Sequence, residues 1–255
     1  MTAWRLIRSG HQSGATNMAL DLALATLHRP GDPPILHCYG WQPACVSLGK
    51  HQAPEVVNRE ACRRLGLEVC RRPTGGGAIL HEPDEITFSI IIGLQALGAR
   101  GVMESYRILS AAIVAGLRLL GVRARLVDNE GEPQAGPGAN PVCFARRARC
   151  DISCRGHKLV GSAQMHRRGV VLQQSALPVS TSMERMAAVF GPQAAEAEGL
   201  LTLPQAAGRE VPPEQVWQAL ADGVARTLGA TMLAAKPEPA ELELAGRLAA
   251  DLRII

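Results

Sequence analysis

The chain has 255 residues, of which 47% are hydrophobic, and it carries 27 Lys and Arg against 23 Asp and Glu. A chain of this length buries roughly 70–75% of its unfolded surface on folding, so it needs no disulfide or metal to be stable. The net charge of +4 is too small, and the aromatic content of 3% too low, to indicate a nucleic-acid-binding protein. The longest apolar run, 86–92, is far shorter than the ~20 residues that span a bilayer.

The cysteines and the N-terminal segment both indicate the cellular compartment of the protein. The first residues lack the apolar core of a signal peptide, which predicts a cytoplasmic protein with no membrane partner. Seven cysteines, an odd number without a Cys-x-x-Cys pair, are typical of reduced thiols. Cys143, Cys150 and Cys154 lie near His157 and His166, but their spacing does not match the usual zinc sites. We therefore predict no metal site.

Apolar periodicity and turn residues predict the elements of the first half of the chain. Asn17 is expected to cap the first helix. The turn at 40–43 is expected to join two short strands into a hairpin. In chain order these elements are a helix at 18–28, strands at 35–39 and 44–48, a helix at 54–65, and strands at 68–72 and 85–92.

The second half begins with the clearest helix, at 105–120, where apolar residues recur at helical spacing and Gly121 follows. Three Gly and three Pro predict a loop at 130–141. Helices are expected to dominate from 182, with a hinge at 212–213. Further strands are predicted at 123–127, 148–154, 158–165 and 170–178. This order predicts an α+β fold with mixed, largely antiparallel sheets and packed helices.

A glycine-rich segment, RRPTGGGAILH at 71–81, is the first candidate site. Three consecutive glycines remove every Cβ over about ten Å of chain, so a ligand can lie against the backbone and its N–H donors. Arg71, Arg72 and His81 flank the glycines, and arginines beside a bare backbone favour an anionic or carbonyl-bearing ligand. The alternative is a tight connection between strands without a binding role.

A second segment, GHKLVGSAQ at 156–164, places Lys158 at a turn into a strand. Gly161, Ser162 and Ala163 follow, and small side chains on a strand leave a slot that larger ones would fill. The alternative interpretation is an ordinary solvated lysine in a hairpin. Like the glycine-rich segment, however, this one combines a basic side chain with consecutive small residues.

Cys143 is the candidate nucleophile. Arg146, Arg147 and Arg149 follow it, and neighbouring cations lower the pKa of a thiol toward the reactive thiolate. The alternative is an inert thiol, which is the interpretation given to the other six cysteines because they lie in apolar patterns. One reactive thiol and one lysine suit acyl transfer.

Together these segments resemble the superfamily of lipoate–protein ligases, biotin–protein ligases and octanoyltransferases. Residues 71–81 resemble its "RRxSGGGAVxH" loop, with Thr74 for the usual Ser, and residues 156–164 resemble its "GKKxxGSAQ" segment. The helix start NMALD at 17–21 and the segment YGWQP at 39–43 also fit, so the resemblance runs from about residue 14 to 180. It implies the ligase catalytic-domain fold as a single domain over 1–255, with a helical part from 182.

Within this superfamily, Cys143-Phe144 resembles the Cys-Phe of lipoate-ligase-like octanoyltransferases. That resemblance implies transfer of an octanoyl group, in lipoate biosynthesis, through a Cys143 thioester. The donor would be octanoyl-acyl carrier protein, and the acceptor a lysine of a lipoyl domain or of the glycine-cleavage H protein. No cofactor is expected, because a thioester donor is already activated. An ATP-dependent lipoate–protein ligase, an octanoyl amidotransferase and a non-catalytic lipoyl-domain binder remain alternatives.

The same resemblance assigns the site residues. Cys143 and Lys158 would be catalytic. The residues expected to bind the substrate are Arg72, Thr74, Gly75, Gly76, Gly77, His81, Gly161, Ser162 and Ala163. One departure stands out, since Gln174-Ser175 occupies the place of the usual His-Gly.

Overall fold

The computed structural model of the protein describes residues 2–127, 151–195 and 200–255. The strands in these ranges are β1 (Thr2–Gln12), β2 (Ile35–Trp41), β3 (Cys45–Leu48), β4 (Glu68–Arg71), β5 (Ile79–His81), β6 (Ile86–Gly93), β7 (Arg125–Leu126), β8 (Ile152–Cys154), β9 (His157–Arg167), β10 (Val170–Leu177) and β11 (Ala230–Ala235). The helices are α1 (Gly14–Leu27), α2 (Arg59–Arg64), α3 (Leu94–Leu97), α4 (Val102–Leu119), α5 (Met183–Phe190), α6 (Pro192–Ala195), α7 (Leu203–Ala207), α8 (Pro213–Leu228) and α9 (Pro239–Leu252).

Eight of these strands form one large sheet in the order β11-β1-β2-β6-β10-β9-β8-β7. Strand β1 runs parallel to both β11 and β2, whereas every other neighbouring pair is antiparallel. Every residue of the central strands β2, β6 and β10 is buried. Strands are buried along their whole length when structure covers both faces of the sheet. The predicted α+β class with largely antiparallel pairing is confirmed.

Helices cover the two faces of this sheet as two pairs. Helices α4 and α8 pack on one face, where they meet Phe88 and Ile90 of β6. Helices α1 and α9 pack together on the opposite face, where they meet Ile91 of β6 and Leu172 of β10. The alternation of Phe88, Ile90 and Ile91 follows the two-residue period of a strand. One strand therefore supplies two separate apolar cores.

A smaller sheet, in the order β4-β3-β5, lies beside the large one. The predicted hairpin between the strands at 35–39 and 44–48 is wrong, because β2 and β3 belong to different sheets. Both edges of β2 are already paired with β1 and β6, and both edges of β3 with β4 and β5. No free edge remains through which the two strands could pair.

The N-terminal part of the chain differs from the prediction in two ways. Strand β1 was missed, because polar residues interrupt its apolar ones. Helix α1 starts at Gly14 rather than at 18, and Ser13 caps it by accepting from the Thr16 N–H. Asn17 is instead buried inside the helix, where its amide donates to the Gly40 carbonyl at 2.8 Å.

Later elements also depart from the predicted bounds. The helix predicted at 54–65 is split into a short 3-10 turn, Pro54–Val56, and α2, which Asn58 caps. The C-terminal part is not purely helical, because β11 adds a parallel edge strand next to β1. The hinge predicted at 212–213 is the start of α8, where Pro213 takes a position that proline tolerates. The loop predicted at 130–141 lies outside the described residues.

None of the helices in the described ranges is both long enough and apolar enough to cross a bilayer. This agrees with the short apolar runs of the sequence.

The α4–α8 contact gives a test of the fold. A Cβ on Gly223 would lie 2.3 Å from the Gly116 backbone nitrogen, whereas a Cβ on Gly246 of α9 would meet nothing within 4 Å. We expect Gly223→Ala to lower the free energy of unfolding by about 1–3 kcal/mol through overpacking against backbone. Gly246→Ala is the matched control and should raise it by roughly 0.5–1 kcal/mol, as alanine does in exposed helices.

Urea unfolding followed by circular dichroism measures both changes. Equal effects of the two substitutions would contradict the close packing of α4 on α8.

Candidate active site

A pocket lies where the two sheets meet, with about 350 Å³ of empty space between its lining residues, part of it open to solvent. Its walls are mostly apolar, as in pockets that bind small ligands. Six of the predicted substrate-binding residues line it: Arg72, Thr74, His81, Gly161, Ser162 and Ala163. The remaining lining residues are Met18, Tyr39, Trp41, Ser47, Ile79, Thr87, Gln174, Ser175 and Ala176. The structure therefore brings the two candidate segments together.

Small side chains on β9 and β10 form one wall of the cavity. Gly161 pairs with Ala176 and Ala163 pairs with Gln174 across the two strands. Because neither Gly161 nor Ala176 carries more than a methyl group, the pair leaves room above the sheet. The slot expected from the small residues of β9 thus corresponds to a real opening.

The arginines of the glycine-rich segment bind backbone carbonyls. The Arg72 guanidinium donates to the carbonyl oxygens of Gly75 and Gly77 at 2.6 Å each, and to that of Ser47 at 3.0 Å. Arg71 donates in the same way to the carbonyls of Gly49 and Gln52. Both side chains therefore fix the course of the loop.

The three glycines themselves are not among the lining residues of the cavity. Gly76 has φ +92°, a conformation that favours glycine. Its carbonyl oxygen would lie 2.0 Å from a Cβ on Gly49, so the loop passes directly over that residue. The structure thus packs the Gly76 carbonyl against Gly49, next to the cavity.

Lys158 is buried and ion-paired. Its Nζ lies 2.9 Å from Asp151 Oδ2, and the two side chains are 4% and 2% exposed. The turn before it contains Arg155 and Gly156 at positive φ. The interpretation of Lys158 as a solvated hairpin lysine is therefore wrong. Lys158 is not among the residues that line the cavity.

Cys143 and the basic residues Arg146, Arg147 and Arg149 lie outside the described residues, so the predicted pairing of Cys143 with Lys158 stays a prediction. The cysteines at 38, 45, 62, 70 and 154 are buried with free thiols, as predicted. Burial raises the pKa of Cys38 to about 12, which makes a poor nucleophile. Among the described residues, no cluster of three or more His, Cys, Asp and Glu side chains could hold a metal ion.

His81 belongs to a buried network on the cavity wall. Its Nε2 lies 2.7 Å from Ser47 Oγ and its Nδ1 lies 2.6 Å from Glu85 Oε1. Glu85 also accepts from Thr87, whose hydroxyl accepts from the Trp41 indole N–H. The sequence pointed to His81 alone. Ser47 comes from another strand, β3, whereas Glu85 follows His81 by four residues across the turn between β5 and β6.

A second network surrounds Asp21, which is fully buried. Its carboxylate accepts from the Tyr39 hydroxyl at 2.8 Å, the Ser89 hydroxyl at 2.6 Å and the Gln174 amide at 2.8 Å. Gln174 in turn accepts from the Thr74 hydroxyl at 2.7 Å. The sequence carried a signal for this network, because Asp21 is the one acidic residue within α1.

Burial, followed by the nearby Asp21 carboxylate, raises the pKa of the Tyr39 phenol well above its ordinary value. Tyr39 therefore stays protonated and serves as a hydrogen-bond donor on the cavity wall.

Comparison with known proteins identifies the family. Residues 13–225 match the lipoyl protein ligase A/B catalytic domain, and the chain belongs to this family. An octanoyltransferase LipM from Kyrpidia tusciae is 37% identical over 98% of this chain and 94% of its own length. An octanoyltransferase LipM from Symbiobacterium thermophilum is also 37% identical, over 91% of this chain and 88% of its own. Similarity over nearly the full length to transferases identifies the chain as an acyltransferase, as predicted.

Solved structures of lipoate–protein ligases have the same fold. A bi-partite lipoate protein ligase from Thermoplasma acidophilum superimposes with a TM-score of 0.78 at 25% identity, covering 98% of this chain and 92% of that one. A lipoate-protein ligase A bound with ATP gives a TM-score of 0.81 at 24% identity over 98% and 95% of the two chains, which supports the shared fold.

The Lys158–Asp151 pair generates a stability prediction. Breaking a buried ion pair costs about 3–5 kcal/mol, whereas replacing both partners by apolar residues is often neutral. We therefore expect Lys158→Met to destabilise the protein strongly and the double variant Lys158→Met/Asp151→Leu to recover most of the loss. Urea unfolding of the parent, both single variants and the double variant measures the coupling.

Strictly additive effects in this cycle would contradict a direct interaction between the two charges. The measurement also decides which Lys158 variants are stable enough for activity assays.

Proposed function

We propose that this acyltransferase moves an octanoyl group from octanoyl-acyl carrier protein to a lysine of a lipoyl domain or of the glycine-cleavage H protein. The observation that carries the proposal is the similarity over almost the whole chain to curated octanoyltransferases. The related solved ligase was studied together with an E2 lipoyl domain, which favours a lipoyl domain as acceptor.

The lining of the cavity favours an apolar acyl tail. Its walls include Met18, Ile79 and Ala176, and the polar groups His81 and Gln174 are already bonded to protein partners. Burying the seven apolar carbons of an octanoyl tail at ~0.8 kcal/mol each contributes roughly 5 kcal/mol before the costs of binding. A pocket whose polar groups are satisfied does not penalise such an apolar tail.

The proposed chemistry proceeds through Cys143. Its thiolate attacks the carbonyl carbon of the octanoyl thioester, and the carrier thiol leaves with a proton. The acceptor lysine amine then attacks the acyl-enzyme carbonyl, loses a proton, and releases the Cys143 thiol. The Lys158 ammonium stabilises the thiolate and takes part in these proton transfers. A thioester donor needs no ATP.

We expect the protein to gain the mass of one octanoyl group when it is incubated with octanoyl-acyl carrier protein in the absence of ATP. The bond should be cleaved by hydroxylamine, as a thioester is, and the adduct should be absent in Cys143→Ala. Intact-mass analysis before and after hydroxylamine treatment measures both properties. The buried Cys62→Ala is the matched control and should be acylated like the parent, since Cys62 lies in the core.

A stable adduct on Cys143→Ala would contradict the thioester step. A strict requirement for ATP and free lipoate would favour a lipoate–protein ligase instead. Octanoyl uptake from an already octanoylated H protein, with none from the carrier protein, would favour an amidotransferase.

Chain-length preference tests the position of the acyl tail. Ala163 lines the cavity on β9, whereas Ala234 is an exposed alanine on β11. We expect Ala163→Leu to slow octanoyl transfer about tenfold or more, because overpacking a filled site costs ~1–3 kcal/mol. Transfer of a butanoyl group should fall much less. Ala234→Leu should leave both rates unchanged. Equal losses for the two acyl groups would show that the tail lies elsewhere.

A further inference from the structure

Ser47, His81 and Glu85 form a nucleophile–base–acid array within the cavity. Ser47 Oγ lies 2.7 Å from His81 Nε2, and His81 Nδ1 lies 2.6 Å from Glu85 Oε1. Both distances fall within the ~2.6–3.2 Å expected for a nucleophile, its general base and the group that orients the base. Ser47 and His81 both line the cavity proposed for the acyl group.

Neighbouring groups fix the roles of the three side chains. Glu85 as a carboxylate accepts from His81 Nδ1–H, which leaves Nε2 to accept the Ser47 O–H. The Trp41 ring stacks on the imidazole with centroids 3.8 Å apart and planes inclined by 12°, so the imidazole cannot turn freely. Arg72 Nη1 donates to Ser47 Oγ at 3.3 Å. A guanidinium there stabilises negative charge on that oxygen.

A second serine–histidine–carboxylate array has its serine outside the acyl cavity. Ser9 Oγ lies 2.5 Å from His37 Nε2, and His37 Nδ1 lies 2.8 Å from Asp21 Oδ1. Ser9 is half-buried and lines a separate pocket beside α9, which shares no lining residue with the acyl cavity. Asp21 is also shared with three other donors. The array of Ser47 is thus the one that meets the proposed acyl group, and the array of Ser9 is a matched control.

We propose that Ser47 is a second acyl acceptor and that the protein hydrolyses acyl thioesters and esters through it. Ser47 Oγ bonds to the carbonyl carbon while its proton passes to His81 Nε2, and the C–S or C–O bond of the donor breaks. The leaving group takes the proton from His81. Water, deprotonated by His81, then attacks the Ser47 ester, and the proton returns to Ser47 as the carboxylic acid leaves.

This inference depends on the proposed function only in that the cavity holds an acyl chain. Hydrolysis consumes water and needs no further reactant. It would discharge the acyl group when no acceptor lysine is bound, so it competes with transfer.

The direct test uses the parent protein and an octyl fluorophosphonate, which phosphonylates an activated serine and carries a tail that fits the cavity. We expect one adduct, located on Ser47 by peptide mass analysis. Labelling should disappear in Ser47→Ala and persist in Ser9→Ala. An adduct on Ser9, or no adduct on any serine, would overturn the inference.

Hydrolysis separates this inference from the proposed transfer. With p-nitrophenyl octanoate, Cys143→Ala should retain hydrolysis, and Cys143→Ala/Ser47→Ala should lose about a hundredfold, the scale of general-base catalysis. Ser9→Ala should leave both hydrolysis and octanoyl transfer to a lipoyl domain unchanged. Loss of both activities in Cys143→Ala, with no adduct on Ser47, would leave Cys143 as the acyl acceptor and overturn the role of Ser47. Retained transfer in Cys143→Ala would instead overturn the proposed function.

Discussion

The buried carboxylate of Asp21 connects the elements from which the cavity is built. It lies on α1 and accepts hydrogen bonds from Tyr39 of β2, Ser89 of β6 and Gln174 of β10, three strands adjacent in the large sheet. A charge without access to water must be compensated by nearby donors, so helix and strands can pack here only in one register. Through Gln174 the same network reaches Thr74 at the start of the glycine-rich loop.

Local signals in the sequence predicted much of the fold but not its pairing. The helix of 105–120 and the strand of 85–92 were placed within a few residues of α4 and β6, because their apolar patterns are long and regular. Strand β11, with the sequence ATMLAA, has the composition of a helix and becomes a strand by pairing with β1. Which strand pairs with which depends on edges already occupied, and this information is absent from any local window.

The candidate site likewise contains residues that local sequence predicts and residues that only the tertiary structure brings together. Thr74, His81, Gly161 and Ala163 were found because each lies in a segment of unusual composition, and they line one cavity. Ser47 belongs to ordinary strand sequence, and only the pairing of β3 with β5 brings it to His81, whereas Glu85 lies four residues after His81 in a turn. A buried polar network is assembled by tertiary structure, so its members carry no common sequence signal.

Arg72 shows how a side chain can act on a site through the backbone. Its donors hold the carbonyl oxygens of Gly75 and Gly77. Because the peptide group is planar and trans, the N–H that follows each carbonyl, on Gly76 and on Ala78, points away from the guanidinium. Arg72 thereby sets the direction of two backbone donors in the glycine-rich loop. The Arg72 guanidinium binds these carbonyl oxygens, and its positive charge lies beside Ser47.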